Sequence, residues 1–178
     1  LIEGTRFRRR PAEAVAGDFA AARRAGARYV FIVDSVFNTS SSHVAAVCEA
    51  LMRRKIKMKW GCFMRLAGVS GDMMRMMAGA GCRHIEFGTD SMCDAVLDAY
   101  GKGFTFGDVH NAHECARDAK IHTSHFIILG GPEETYETIR ETLQNGRSLK
   151  RTVIFPFTGM RVYPGTPLER TARERGIL

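Results

Sequence analysis

Apolar and polar positions along the chain switch repeatedly between two periods. After Pro11, Val15, Phe19 and Ala22 recur at helical spacing, and Gly26 supplies a stop. Tyr29-Val30-Phe31-Ile32-Val33 is a continuous apolar run of β-branched and aromatic residues, which predicts a strand buried on both faces and ended by Asp34. Ser40, Ser41 and Ser42 offer N-caps for a helix whose apolar stripe is Val44, Val47, Cys48 and Leu51. Ile56, Met58, Trp60 and Cys62 alternate with Lys57 and Lys59, predicting a second strand with one more polar face. Ser70 and Asp72 open a helix through Met73, Met74, Met76 and Met77, closed by Gly79 and Gly81; methionines so placed fill a core.

The same rhythm continues to the end. His84-Ile85-Glu86-Phe87 predicts a third strand running into Gly88-Thr89-Asp90-Ser91, followed by a short helix with Ala95, Val96 and Leu97 and a break at Tyr100-Gly101-Lys102-Gly103. Thr105 or Asp108 starts a helix carrying Val109, Ala112, Cys115 and Ala116. Ser124-His125-Phe126-Ile127-Ile128-Leu129 is the fourth predicted strand, Thr135 begins a helix with Ile139 and Leu143 inward, and Thr152-Val153-Ile154-Phe155 is the fifth strand. Pro164-Gly165-Thr166-Pro167 turns into a charged last helix. Strand and helix alternate in units of roughly 30 residues, which implies a parallel sheet with right-handed crossovers. A doubly wound sheet and a barrel, full or partial, both fit. No linker or internal repeat divides residues 1–178, so a single domain is expected.

Composition narrows the class without naming a reaction. The 178 residues are 45% hydrophobic and 25% charged, as in an ordinary globular protein, and hold no apolar run long enough for a membrane span. Cys48, Cys62, Cys82, Cys93 and Cys115 are odd in number and scattered, which excludes a disulfide framework and predicts buried thiols in a reducing cytoplasm. The net charge is +7, partly from Arg6, Arg8, Arg9 and Arg10. No aromatic platform accompanies that cluster, so a solvated face is expected rather than a nucleic-acid site. His110 and His113 lie three apart on a helix, but no acidic or cysteine partner is near in sequence, and no metal ligands are assigned.

Chemistry in parallel α/β folds sits at the carboxyl ends of the strands. Those ends carry Asp34, Ser35 and Asn38; Gly88, Thr89, Asp90 and Ser91; Gly130 and Gly131; and Arg161. Carboxylates such as Asp34 and Asp90 can accept from an ammonium or from ribose hydroxyls, and each serves equally well as a helix cap. Gly130-Gly131 lets a flat ring or a phosphate approach the backbone, or simply makes a turn. Neither a nucleotide-binding glycine fingerprint nor a nucleophile elbow is present.

Taken in order, Val33-Asp34-Ser35-Val36-Phe37-Asn38, Glu86-Phe87-Gly88-Thr89-Asp90-Ser91, Gly130-Gly131-Pro132-Glu133-Glu134-Thr135 and Tyr163-Pro164-Gly165-Thr166-Pro167-Leu168 resemble the radical S-adenosylmethionine (SAM) enzymes, and most closely the subgroup carrying a cobalamin-binding domain. The resemblance implies an α/β fold, a partial parallel (βα)6 TIM-like barrel, with strands two to six in this chain. It places the first strand, and the CxxxCxxC loop that ligates a 4Fe–4S cluster, before Leu1, next to a segment similar to Glu3-Gly4-Thr5-Arg6. The first predicted strand is then an open apolar edge. The implied reaction is reductive cleavage of SAM at the cluster to a 5′-deoxyadenosyl radical, in a methyltransferase using cobalamin or a lipid-pathway enzyme. This chain alone is expected to be inactive.

By the same resemblance Asp34 and Ser35 lie near the methionine amino group, Asp90 and Ser91 near the ribose or carboxylate, and Ile128, Gly130 and Gly131 along the adenine. Gly88, Asn38 and Arg161 complete the cofactor-binding set. The implied partners are a small-molecule or lipid substrate and an electron donor such as a flavodoxin or ferredoxin. A tRNA-modifying radical SAM enzyme and a non-catalytic barrel are the alternatives. One departure stands out: Glu133 occupies a position where the family has glycine, and would be strained if that position needs a positive φ.

Overall fold

The computed structural model describes residues 8–178. Arg6 and the Glu3-Gly4-Thr5-Arg6 segment lie outside the described residues. The order is α1 (Ala12–Arg24), β1 (Tyr29–Ile32), α2 (Ser41–Arg53), β2 (Lys59–Met64), α3 (Gly71–Gly79), β3 (Cys82–Asp90), α4 (Asp94–Ala99), α5 (Phe106–Asp118), β4 (His122–Leu129), α6 (Tyr136–Ser148), β5 (Thr152–Thr158) and α7 (Pro167–Glu174). All five strands are parallel and lie in the order β1-β2-β3-β4-β5. A sheet that never reverses its strand order, joined by right-handed crossovers, keeps its helices on one side. This excludes the doubly wound alternative and gives the expected partial TIM-like barrel.

Local chemistry explains most boundaries. Ser40 accepts from the His43 amide and Ser70 from the Met73 amide, each at 3.3 Å. Thr105 and Asp108 form a reciprocal capping box, as do Thr135 and Thr138. Pro11 is the N-cap of α1 rather than its first helical residue. Strand β5 runs on through Pro156 to Thr158, further than the apolar run predicted. Among the described residues β5 has only β4 as a neighbour, and a missing N–H is tolerated on such an edge.

One apolar layer fills the space between sheet and helices. Phe87, Ile85, Met74, Met77, Val47 and Val109 are fully buried in it, and Trp60 sits at its centre. The Trp60 indole meets Phe19 and Phe37 edge-on, with centroids 6.2 and 5.7 Å away, and donates from Nε1 to the Ala80 carbonyl at 3.0 Å. Buried indoles need such a partner for the N–H.

The other face of the sheet is much less covered. Val153, Phe155 and Phe157 of β5 are 53%, 43% and 53% exposed. The β1 residues expected to be buried on both faces are only half-buried, and Tyr29 and Val33 are exposed. Helices cover one side of β1, and among the described residues only β2 pairs with it. Leu143, expected inward, is 49% exposed; Thr142 takes the buried position on α6 instead. Among the described residues no helix is long and apolar enough to cross a membrane.

Gly81 makes the tight entry into β3 at φ 100°, where an added Cβ would collide with the Met58 carbonyl oxygen. Gly81→Ala is expected to cost about 2 kcal/mol or more, through combined clash and left-handed strain. Urea unfolding of the full-length protein measures this directly.

Candidate active site

The carboxyl ends of the strands form one rim. At β1 the chain leaves through Asp34 and Ser35, both exposed. It is then pinned across the end of β2: the Phe37 amide donates to the Phe63 carbonyl at 2.9 Å. The buried Asn38 side chain donates to the Arg65 carbonyl at 2.9 Å and accepts from the Arg65 amide at 3.0 Å. Both ends of that amide are therefore committed to the neighbouring loop.

The end of β3 carries the sharpest distortion. Gly88 pairs with Phe126 and Asp90 with Ile127, so Thr89 is an extra residue in the strand. Bulges of this kind re-aim a side chain. Thr89 turns inward, fully buried, and bonds His125 Nδ1 at 2.8 Å. Asp90 takes φ 62°, unusual for a residue with a side chain, and its carboxylate accepts from Lys102 Nζ at 2.6 Å. The pair is only about a quarter exposed, at 23% and 27% of the two side chains. Ser91, next along, is fully buried and bonds Thr142 of α6 at 3.0 Å. Its hydroxyl also accepts from the Cys93 amide at 3.2 Å, so it faces the helices rather than the rim.

At β4 the half-buried Ile128 leads into Gly130, at φ 84°, whose amide donates to the Glu134 carboxylate. Gly131 has no room for a side chain, because a Cβ would run into the Tyr100 hydroxyl. Tyr100 Oη and Glu134 Oε1 are both buried without a hydrogen-bond partner among the described residues. Burial, with the Glu134 and Asp90 charges nearby, pushes the Tyr100 phenol up to about 12. The Gly159 amide donates to the Leu129 carbonyl at 2.7 Å, which brings the loop after β5 alongside; Arg161 in that loop is exposed. Glu133 adopts φ 64°, so the residue standing where glycine was expected does sit in the left-handed region.

Of the residues singled out from sequence, the rim therefore gathers Asp90, Gly130 and Gly131 around Tyr100, with Gly88 and Ile128 beside them and Asp34 and Ser35 two strands away. Asn38 and Ser91 brace loops from behind. Lys102, Tyr100 and Glu134 were missed. Tyr100 and Lys102 lie in a stretch that reads simply as a helix break; a lone lysine between glycines, just downstream of a strand-end aspartate, was the available signal. His113 is spent internally, on Thr123 at 3.2 Å and on the Lys150 carbonyl at 2.9 Å.

The sequence profile of the Radical SAM superfamily matches residues 2–145. The chain belongs to the radical SAM superfamily. An uncharacterized methyltransferase of Pyrococcus horikoshii is 24% identical over 153 residues, which is 86% of this chain and 33% of that protein. Tryptophan 2-C-methyltransferase of Streptomyces laurentii is 25% identical over 188 residues, 97% of this chain and 31% of that protein. The chain thus spans about a third of the length of these relatives. The radical SAM methyltransferase TsrM from Kitasatospora setae, solved with cobalamin and a [4Fe-4S] cluster bound, superposes with a TM-score of 0.88 at 24% identity, covering 97% of this chain and 35% of TsrM. That likeness is one of fold.

Radical SAM enzymes use SAM and a 4Fe–4S cluster, and the described residues suit the two groups differently. For SAM the rim offers a carboxylate and an ammonium side by side, a glycine floor, and two buried polar atoms with unused bonding capacity, which suits a zwitterion joined to a nucleoside. The cluster finds no ligand set. Among the described residues no three His, Cys, Asp or Glu groups could hold a metal. Burial pushes the Cys48 thiol up to about 12 and raises those of Cys62 and Cys93, the opposite of what a thiolate ligand needs.

Two outcomes follow. Glu133→Gly should be more stable than Glu133→Ala by about 1 kcal/mol, since only glycine relieves the positive φ. Both variants lose the exposed Arg175 ion pair equally, so chemical unfolding isolates the backbone effect. Burial also pulls His125 down to about 3, against an ordinary value of 6.5. The unfolded chain then binds the extra proton, so stability falls as pH drops from 6.5 towards 3. Between pH 7 and pH 5 the loss at His125 should be about 2 kcal/mol, and His125→Phe should flatten that slope in urea titrations at the two pH values.

Proposed function

We propose that this rim holds SAM in a radical SAM enzyme that works with cobalamin as a methyltransferase. The observation that carries the reading is the Asp90–Lys102 pair set beside Tyr100 and the Gly130-Gly131 floor. Asp34 and Ser35 face the ligand's ammonium group. Asp90 accepts from the ribose hydroxyls, and Lys102 steers both Asp90 and the ligand carboxylate. Gly88, Ile128, Gly130 and Gly131 flank the adenine, Tyr100 and Glu134 offer it polar contacts, and Arg161 closes the rim from the loop after β5. Asn38 and Ser91 act at one remove, holding the two loops in place.

Bound there, SAM supplies the radical chemistry common to the family, while the protein orients it and keeps water out. Cobalamin is supported by the fold shared with TsrM, and methyl transfer by the two methyltransferase relatives. An electron donor such as a flavodoxin or ferredoxin completes the reading. Residues 1–178 act as one barrel domain, and the free thiols suit a reducing cytoplasm.

Calorimetric titration of SAM into the full-length protein tests the assignment. Asp90→Ala and Lys102→Ala are each expected to weaken binding roughly tenfold, the effect of one charge-assisted hydrogen bond. Ser91→Ala should lower stability and leave affinity unchanged. Wild-type affinity in both rim variants would remove SAM from this rim.

A further inference from the structure

Asp90 owes its place on the rim to the residues on either side of it. The Ser91 amide donates to the Thr89 carbonyl at 2.8 Å, closing a three-residue turn across Asp90, whose φ is 62°. Turns with a positive φ at the central residue are rare and strained. The ladder shows what this one achieves. Gly88 is level with Phe126, and Asp90 with Ile127. In an unbroken parallel ladder Thr89 would stand opposite Ile127, and Asp90 opposite Ile128. The extra residue therefore draws Asp90 back along β3 by about 3.3 Å, the rise of one residue. At that level its carboxylate meets Lys102 Nζ at 2.6 Å.

The extra residue is held in the core by His125. Thr89 is fully buried, with its hydroxyl 2.8 Å from His125 Nδ1 and 3.4 Å from the Phe87 carbonyl. A hydroxyl has one proton to give, so Thr89 donates to the carbonyl and accepts from the Nδ1–H. The other imidazole nitrogen, Nε2, is then a lone pair, and it is buried without a hydrogen-bond partner among the described residues. Burial pulls the imidazole down to about 3, so that nitrogen stays unprotonated. The ring cannot swing away. It stacks on Phe87 with centroids 5.3 Å apart, and lies 5.7 Å from His113, which is tied at both of its own nitrogens. A phenyl ring would fill the same space without burying an unpaired nitrogen. What the imidazole adds is the bond to Thr89.

We propose that His125 is a positioning residue for the rim: through Thr89 it holds the bulge of β3, and the bulge sets Asp90 against Lys102 in the place from which the pair takes SAM. The inference rests on the reading of the rim as the SAM site. Ser91 anchors the far end of the turn on α6, but the register of β3 is decided earlier, between Gly88 and Asp90.

Two readouts on the full-length protein test this. Calorimetric titration gives the affinity for SAM. Reductive methylation followed by peptide mass spectrometry gives the reactivity of the Lys102 ammonium without SAM. Thr89→Val keeps the shape of the side chain and removes its hydroxyl. It should weaken SAM binding about fivefold and raise Lys102 reactivity, and Thr89→Ser should restore both. In an Asp90→Ala background Thr89→Val should add no further loss of affinity, because Thr89 acts through Asp90. At His125 affinity and stability should part company. His125→Phe fills the space of the ring but lacks the donor, so it should resist urea about as well as wild type and bind SAM about fivefold more weakly. His125→Asn keeps a donor near the place of Nδ1 but leaves a cavity, so it should unfold more readily and retain wild-type affinity. Affinity that follows stability across these variants overturns the proposal, as does a Thr89→Val effect that simply adds to that of Asp90→Ala. Wild-type affinity and Lys102 reactivity in both Thr89→Val and His125→Phe overturn it too. Raised Lys102 reactivity with unchanged SAM affinity would keep His125 as the residue that aims Asp90 and sink the reading of the rim alone.

Discussion

The constraint on which the rest depends is the handedness of the crossover between parallel strands. Each strand of this chain pairs with its sequence neighbours, and each connection returns over the same side. The sheet therefore has two unlike faces. One is sealed by helices around Trp60 and the methionines of α3. The other leaves Val153, Phe155 and Phe157 of β5 exposed. The strand ends are forced onto one rim by the same rule, so residues as distant in sequence as Asp34 and Gly131 share that rim.

At that rim, order is maintained at some conformational cost. Asp90 and Glu133 both hold positive φ angles, and β3 carries an extra residue immediately before Asp90. Strain of this kind persists only where surrounding contacts over-determine the backbone. Those contacts are identifiable: Thr89 locked to His125 behind the bulge, Ser91 to Thr142 on α6, and Lys102 across from the carboxylate. The helix-facing side of the sheet thus determines the aim of a side chain on the rim. A buried neutral histidine suits that task, since it can bond Thr89 without bringing a charge into the core.

Membership of the radical SAM superfamily and the geometry of the rim support each other, but they speak to different groups. The rim has an ion pair, two adjacent glycines and two buried polar atoms without a hydrogen-bond partner among the described residues, the features on which the proposed SAM site rests. Four of the five described cysteines are buried, burial raises the Cys48, Cys62 and Cys93 thiols, and no group among the described residues could hold a metal. In the proposed reading, this stretch of chain binds and orients SAM.

Period and punctuation in the sequence were enough to determine the elements, their parallel arrangement and the strand ends at which polar residues gather. Those features arise from local interactions: capping by Ser40, Ser70 and Thr105, apolar stripes on the helices, and β-branched runs in the strands. Resemblance in four motifs was enough to name the family. Several matters were decided only by tertiary structure. Leu143 and the β1 run face solvent more than their apolar character predicts, because burial depends on which neighbours reach them. Ser91 and Asn38 turned out to be braces, because a hydroxyl or an amide bonds whatever lies within 3 Å. Lys102 joined Asp90 only when the stretch after α4 was brought against the end of β3. Periodicity reports which face of an element a residue is on, but the partner across the gap is set by contacts remote in sequence.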